Sequence, residues 1–177
     1  MKPYTGSRLC KLSDRGVLTL PPTILETLTY RTPAWRIFVG PHESLTCLVI
    51  LDPDMVARRL AAAQCVSAES SSAAVRWRRD FGFLESLTFD KTGRFNLPEQ
   101  LRDWAGLASD VLAIAAGDCI ELWDPEQART CGDKDARWLA DLHVPYQRLQ
   151  RTTPHIVRES TGTIARLPES IDLQVAA

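Results

Sequence analysis

The same run of residues occurs twice in this 177-residue chain. Lys11-Leu12-Ser13-Asp14-Arg15-Gly16-Val17-Leu18-Thr19-Leu20-Pro21 falls on the stretch that ends Phe89-Asp90-Lys91-Thr92-Gly93-Arg94-Phe95-Asn96-Leu97-Pro98, at a constant offset of 77 residues. Ser13 lands on Asp90, Gly16 on Gly93, Leu18 on Phe95, Leu20 on Leu97 and Pro21 on Pro98. A three-residue connection with Gly in its last place suits a turn whose final residue is left-handed, and Pro suits the first turn of a following helix. Both stretches should therefore share one backbone: a tight hairpin, a short strand and a helix start. An internal duplication constrains the fold more than any composition figure does.

The residues after each stretch repeat as well. Pro21 to about Thr29 reads as a short helix. Trp35 to Val39 and Leu45 to Leu51 then read as strands around a Gly40-Pro41 turn, and their second-copy counterparts are Val111 to Ala115 and Cys119 to Trp123 around Gly117-Asp118. Asp52-Pro53 and Asp124-Pro125 carry the same helix-start signal, Asp as N-cap and Pro at the first helical position. Met55, Val56, Leu60 and Ala61 to Ala63 continue the first of these helices. The polar run Ser67 to Ser72 ends it, and a further helix comes next, with Val75, Trp77 and Phe81 partly buried and Arg76, Arg78 and Arg79 forming a solvated basic face, the alternative being a contribution to DNA phosphate contacts or to a subunit interface. Beyond Glu126 a helical stretch runs to about Leu142. The resulting organisation is a first half over 7–66, a helical linker over 67–83, a second half over 84–142 and a C-terminal extension over 143–177. Four short strands per half leave an apolar face and open edges, so the two halves should close one another.

Composition excludes several functions. Net charge is -1, so no global basic field draws the chain to nucleic acid or an anionic membrane, and affinity for DNA must come from a local patch or from many copies. No apolar run approaches the roughly 20 residues that span a bilayer, and Met1 to Gly6 contains no apolar signal segment, so a cytoplasmic protein is expected. Cys10, Cys47, Cys65, Cys119 and Cys131 form no Cys-x-x-Cys pair and read as reduced structural thiols. His42, His143 and His155 are scattered, and paired carboxylates such as Asp52/Asp54 and Asp133/Asp135 read as helix starts. Neither a catalytic constellation nor a metal or cofactor site is expected.

Asp90-Lys91-Thr92-Gly93-Arg94, then Leu97-Pro98, Leu101-Arg102, Trp104-Ala105-Gly106-Leu107 and Gly117-Asp118-Cys119-Ile120-Glu121-Leu122-Trp123-Asp124-Pro125-Glu126 resemble the second half of the MraZ family, transcriptional regulators of the SpoVT/AbrB-like class. The resemblance implies an α+β fold of two tandem SpoVT/AbrB-like swapped-hairpin halves, forming an intrachain pseudo-dimeric β-barrel with flanking helices. It also implies a nucleoid-associated regulator that binds double-stranded promoter repeats of the division and cell-wall gene cluster as a ring-like homo-oligomer. In the family both copies usually carry an Asp-x-x-x-Arg signature. Here Ser13 and Val17 replace it in the first copy, which keeps its turn and loses its charged pair.

Arg94 and Lys91 are the principal DNA-binding candidates, because a two-stranded ribbon fits the major groove, where Arg can meet guanine and Lys a phosphate. Arg15 and Lys11 are secondary candidates. Asp90 is expected to pair with Arg94 and orient its guanidinium, while Gly93 and Gly16 support the turns. The alternatives are an oligomeric scaffold that has lost or reduced DNA recognition, and an antitoxin-like protein whose C-terminal extension grips a protein partner.

Overall fold

The computed structural model describes residues 2–65, 75, 77, 78 and 81–143. The polar run 67–72, Arg76, Arg79 and everything beyond His143, including His155, lie outside the described residues.

Leu48, Val49, Ile50 and Leu51 are all fully buried, so the strand they form, β4 (Leu48–Leu51), has protein on both faces. It lies inside a six-stranded antiparallel sheet with β1 (Ser7–Lys11), β3 (Arg36–Pro41), β5 (Glu85–Thr88), β7 (Asp110–Ala115) and β8 (Ile120–Trp123), in the order β1-β7-β8-β4-β3-β5. The remaining strands, β2 (Val17–Thr19) and β6 (Arg94–Asn96), pair only with each other. Strands from the two stretches of the chain interleave in this order. β1 pairs with β7 of the second half, β5 pairs with β3 of the first, and the equivalent strands β4 and β8 meet at the centre.

Side-chain alternation sorts the apolar residues into layers, since successive residues of a strand point to opposite faces. Leu48, Ile50, Val111, Ala113, Ile120 and Leu122 pack towards the ribbon and the helices α1 (Pro22–Arg31) and α3 (Glu99–Trp104), meeting Leu18, Phe95, Ile24, Leu28 and Leu101. On the opposite face Val49, Leu51 and Cys119 meet Met55 of α2 (Pro53–Cys65). Leu112, Ile114 and Trp123 join Ala128 of α4 (Pro125–Thr130) and Ala136 and Ala140 of α5 (Lys134–His143). The architecture is α+β, as the resemblance implies.

Four expectations need correcting. The sheet does not close into a barrel: β1 and β5 are its two edges, and the three-residue strands β2 and β6 are too short to do more than pair with each other on one face. Nor are the two repeated stretches full hairpins. Each makes a tight turn, with Gly16 N–H on Ser13 O and Gly93 N–H on Asp90 O, but the arms then leave for different partners; only the single bridge Leu12 to Leu18 links β1 with β2. Gly40-Pro41 is not a turn but the end of β3, in register with Val49 and Leu48. Gly40 is there for space, since a Cβ would lie 2.8 Å from Leu84 Cδ2. The helical stretch after Glu126 is two helices, because Asp133 starts a new one by accepting from Asp135 and Ala136 N–H groups.

The Asp-Pro signals hold. Asp124 Oδ1 accepts from Glu126 and Gln127 N–H, and Asp52 Oδ1 from Met55 N–H. Asp52 does more: its Oδ2 lies 2.6 Å from Arg31 Nη2 and accepts from Tyr4 Oη at 3.1 Å, while the Arg31 guanidinium stacks 4.4 Å from the Tyr4 ring centre. This buried group ties the N-terminal segment to the end of α1 and the start of α2. Burial, followed by the Asp52 charge, pushes the Tyr4 hydroxyl well above its ordinary pKa, so it stays a donor.

In the linker, Trp77 packs against Phe81 with ring centres 5.4 Å apart and planes tilted by 43°, whereas Val75 is exposed rather than partly buried. Cys10, Cys47, Cys119 and Cys131 are free thiols. Burial pushes Cys10 up to about 11 and Cys119 up to about 12. Among the described residues no helix is long and apolar enough to cross a membrane, and no group of three or more His, Cys, Asp or Glu side chains is placed to hold a metal ion.

Candidate nucleic-acid interface

The ribbon pairs Val17 with Asn96, Leu18 with Phe95 and Thr19 with Arg94. Period-two alternation turns Leu18 and Phe95 into the core and leaves the other four on the outer face. Thr19, Arg94 and Asn96 are exposed and Val17 is half-buried. Each strand enters from its own turn, and the two turns lie at opposite ends of the ribbon. Leu97 N–H donates to Gly16 O at one end and Leu20 N–H to Gly93 O at the other, both under 3.1 Å. Gly16 and Gly93 have φ of 81° and 78°, so both turns need the left-handed conformation that Gly adopts without strain.

The second turn is held by Asp90, though not as the sequence suggests. Asp90 Oδ1 accepts from Thr92 Oγ1 at 2.6 Å, Thr92 N–H at 2.8 Å and Arg94 N–H at 3.0 Å. These donors, Thr92 Oγ1 foremost and the Arg94 amide next, hold the carboxyl below the usual carboxylate range. The expected ion pair with the Arg94 guanidinium does not form, because the concave side of the turn offers the carboxylate closer donors. Arg94 is exposed, and its side chain has neither hydrogen bond nor ion pair among the described residues. In the first turn Ser13 Oγ accepts from Val17 N–H at 3.0 Å, so a hydroxyl does part of the work of the carboxylate.

Lys91 is exposed at the tip of the second turn and Arg15 at the tip of the first. Lys11 is placed differently. Its Nζ meets Asp110 Oδ1 at 2.5 Å, directly across the β1–β7 ladder, which makes it half of a cross-strand ion pair. The structure thus groups Arg94 and Lys91 at one end of the ribbon and Arg15 at the other, with Lys11 paired on the strand that leads into the first turn. Sequence analysis passed over Thr19 and Asn96, which share the outer face with Arg94; the i, i+2 spacing of Arg94 and Asn96 was the available signal. Arg102, named above only among the residues that carry the resemblance, has its Nε against the first turn. No spacing rule could have placed a helical side chain there.

The family described as "MraZ protein, putative antitoxin-like" matches residues 83–137, which hold the second turn, β6, α3, β7, β8 and α4. Curated relatives extend the match to the first half. "Transcriptional regulator MraZ" of Nocardioides sp. is 29% identical over 126 residues, covering 71% of this chain and 83% of that protein. Its namesake in Syntrophomonas wolfei is 26% identical over 151 residues, covering 80% of this chain and 99% of the relative. The namesake in Saccharophagus degradans is 26% identical over 123 residues, 70% and 83% respectively. Over residues 83–137 the chain is similar to the MraZ family. In the first half Ser13 and Val17 stand where Asp90 and Arg94 stand in the second, and the turn is kept.

Proposed function

We propose that this chain is a sequence-specific DNA-binding transcriptional regulator of the MraZ type, acting in the cytoplasm at the nucleoid on promoter repeats of the division and cell-wall gene cluster. Its two halves, 7–66 and 84–142, with the linker 67–83 and the extension 143–177, form one subunit of a ring-like homo-oligomer. It needs no cofactor and catalyses no reaction. The observation that carries this reading is the Arg94 side chain, exposed on the outer face of a two-stranded ribbon and uncommitted to any acceptor among the described residues. An uncommitted guanidinium can offer two donors to guanine O6 and N7 in the major groove.

Dimensions support the same reading. The two strands of the ribbon lie about 4.8 Å apart, narrow enough to enter a major groove about 12 Å wide. Arg94 reads bases, Lys91 and Arg15 hold phosphates, and Asp90 acts through the turn rather than on the guanidinium. Lys11 contributes only weakly, given its pairing with Asp110.

Charge explains the assembly. One ribbon with so few cations releases few counterions, and a net charge of -1 adds no long-range attraction. Several subunits on adjacent repeats make each further contact intramolecular and raise the total affinity by orders of magnitude.

A gel-shift on the gene's own upstream region, with a sizing measurement on the same samples, tests the reading. Arg94→Ala should abolish the shift and leave the oligomer size unchanged; retained binding removes Arg94 from its role. Val17 in place of Arg favours a second reading, a scaffold with little DNA recognition. That reading is correct if the wild-type chain shows no salt-sensitive binding.

A further inference from the structure

The first turn lacks the arginine of the second, but it does not lack an arginine beside it. At the offset of 77 residues, Arg102 of α3 corresponds to Leu25 of α1. The two side chains occupy equivalent places against opposite turns. A Cβ on Gly93 would meet Leu25 Cδ2 at 3.1 Å, and a Cβ on Gly16 would meet Arg102 Nε at 3.2 Å. The turn with Arg94 has a leucine under it, and the turn with Val17 has an arginine under it.

Arg102 is half-buried, and its Nε is fully shielded with no hydrogen-bond partner. Its side chain has no ion pair among the described residues either. A shielded donor without an acceptor is costly, and because Nε itself is closed to solvent, an arriving acceptor meets the part of the half-buried side chain that lines the recess beside the turn. The same point above Gly16 lies 3.0 Å from Asn96 Oδ1, and Asn96 shares the ribbon's outer face with Arg94. Arg102 therefore reaches the rim of the surface assigned to DNA. Beside it a shallow recess is lined by Ser13, Asp14, Leu107, Ala108 and Ser109. Asp14, exposed in the same turn, is the one opposing charge in that lining, and solvent screens it.

We propose that Arg102 is a DNA-phosphate contact at the first turn, supplying from α3 the positive charge that Val17 no longer provides. This rests on the DNA-binding reading above. A phosphate is the ligand the chemistry selects, because a guanidinium edge matches two phosphate oxygens and a backbone contact needs no base sequence. The two ends of the ribbon then carry unequal duties: Arg94 reads sequence, and Arg102 anchors.

The test uses the full-length chain and titrates binding against salt, on its own upstream region and on an unrelated duplex. Arg102→Leu, which copies Leu25, should weaken both complexes alike and make the log–log salt slope shallower by about 1 for each subunit in contact. Arg102→Lys should keep most of the slope. Adding Val17→Arg to Arg102→Leu should restore it, which a purely structural role for Arg102 would not allow. Arg102→Gln replaces the leucine variant if thermal melting finds that variant unfolded. An unchanged slope in a folded Arg102 variant, while Arg94→Ala abolishes specific binding, overturns this inference alone. No salt-sensitive binding by the wild-type chain overturns the DNA-binding reading and this inference with it.

Discussion

Leu18 and Phe95 lie directly opposite each other at the middle of the β2–β6 ribbon, 77 residues apart in sequence and both buried. They seal the outer layer onto the sheet, since both belong to the cluster that includes Leu48, Ile50, Val111 and Leu122. Truncating either should cost about 2–5 kcal/mol, with Phe95→Ala towards the upper end. Urea unfolding followed by circular dichroism measures it. Because one ribbon serves both halves, each variant should unfold the chain in a single transition rather than release one half.

The two turn glycines should respond differently to alanine. Both have positive φ, which costs about 1–2 kcal/mol for a residue with a Cβ. At Gly16 the new methyl would also sit 2.9 Å from the Leu97 carbonyl oxygen, which is backbone and cannot swing aside; at Gly93 its tightest contact is the Leu25 side chain at 3.1 Å, with Leu20 Cβ at an ordinary 3.5 Å. Gly16→Ala should therefore lower the melting temperature more than Gly93→Ala. Equal shifts would mean that the backbone around Leu97 gives way freely.

Arg31 and Asp52 form the most deeply buried ion pair among the described residues, with side-chain exposures of 3% and 0%. Arg31→Met strands the Asp52 carboxylate and should cost about 3–5 kcal/mol. Tyr4→Phe removes one hydrogen bond to the same carboxylate and should cost about 1 kcal/mol. A double-mutant cycle of Arg31→Met with Asp52→Asn checks the coupling: the pair should lose less than the sum of the single changes.

Asp90 makes the second turn pH-sensitive in one direction only. Its donors depress the folded pKa, so its contribution is fully present above the ordinary value of about 3.9 and disappears as pH falls through the lower, folded value. The Thr92 and Arg94 amide resonances should titrate below about 3.9 and be insensitive between neutrality and that point. In Asp90→Ala both should lose this titration.

Much of the local geometry was legible in the sequence. Gly16 and Gly93 marked both turns, and Asp52-Pro53 and Asp124-Pro125 marked two helix starts. These are local signals, in which a residue's own conformational limits or nearest backbone donors settle the outcome. The errors were also of one kind. Gly40-Pro41 read as a turn because its real constraint, the contact with Leu84, comes from a strand connection more than forty residues away. Asp90 and Arg94 read as an ion pair because two charges at that spacing can meet, while three competing donors in the turn were invisible.

The sequence by itself determined that one turn pattern recurs at an offset of 77 residues, that both turns rest on glycine and that the first carries Ser13 and Val17 where the second carries Asp90 and Arg94. Only the tertiary structure decided which strands pair, since a three-residue strand carries too little pattern to choose a partner and takes the one the packing of the other half leaves free. The same packing set Arg102 of one half against Gly16 of the other. Charge at the first turn is therefore a property of the assembled halves, because contact across 86 residues of chain is governed by how layers stack and not by any neighbour in sequence.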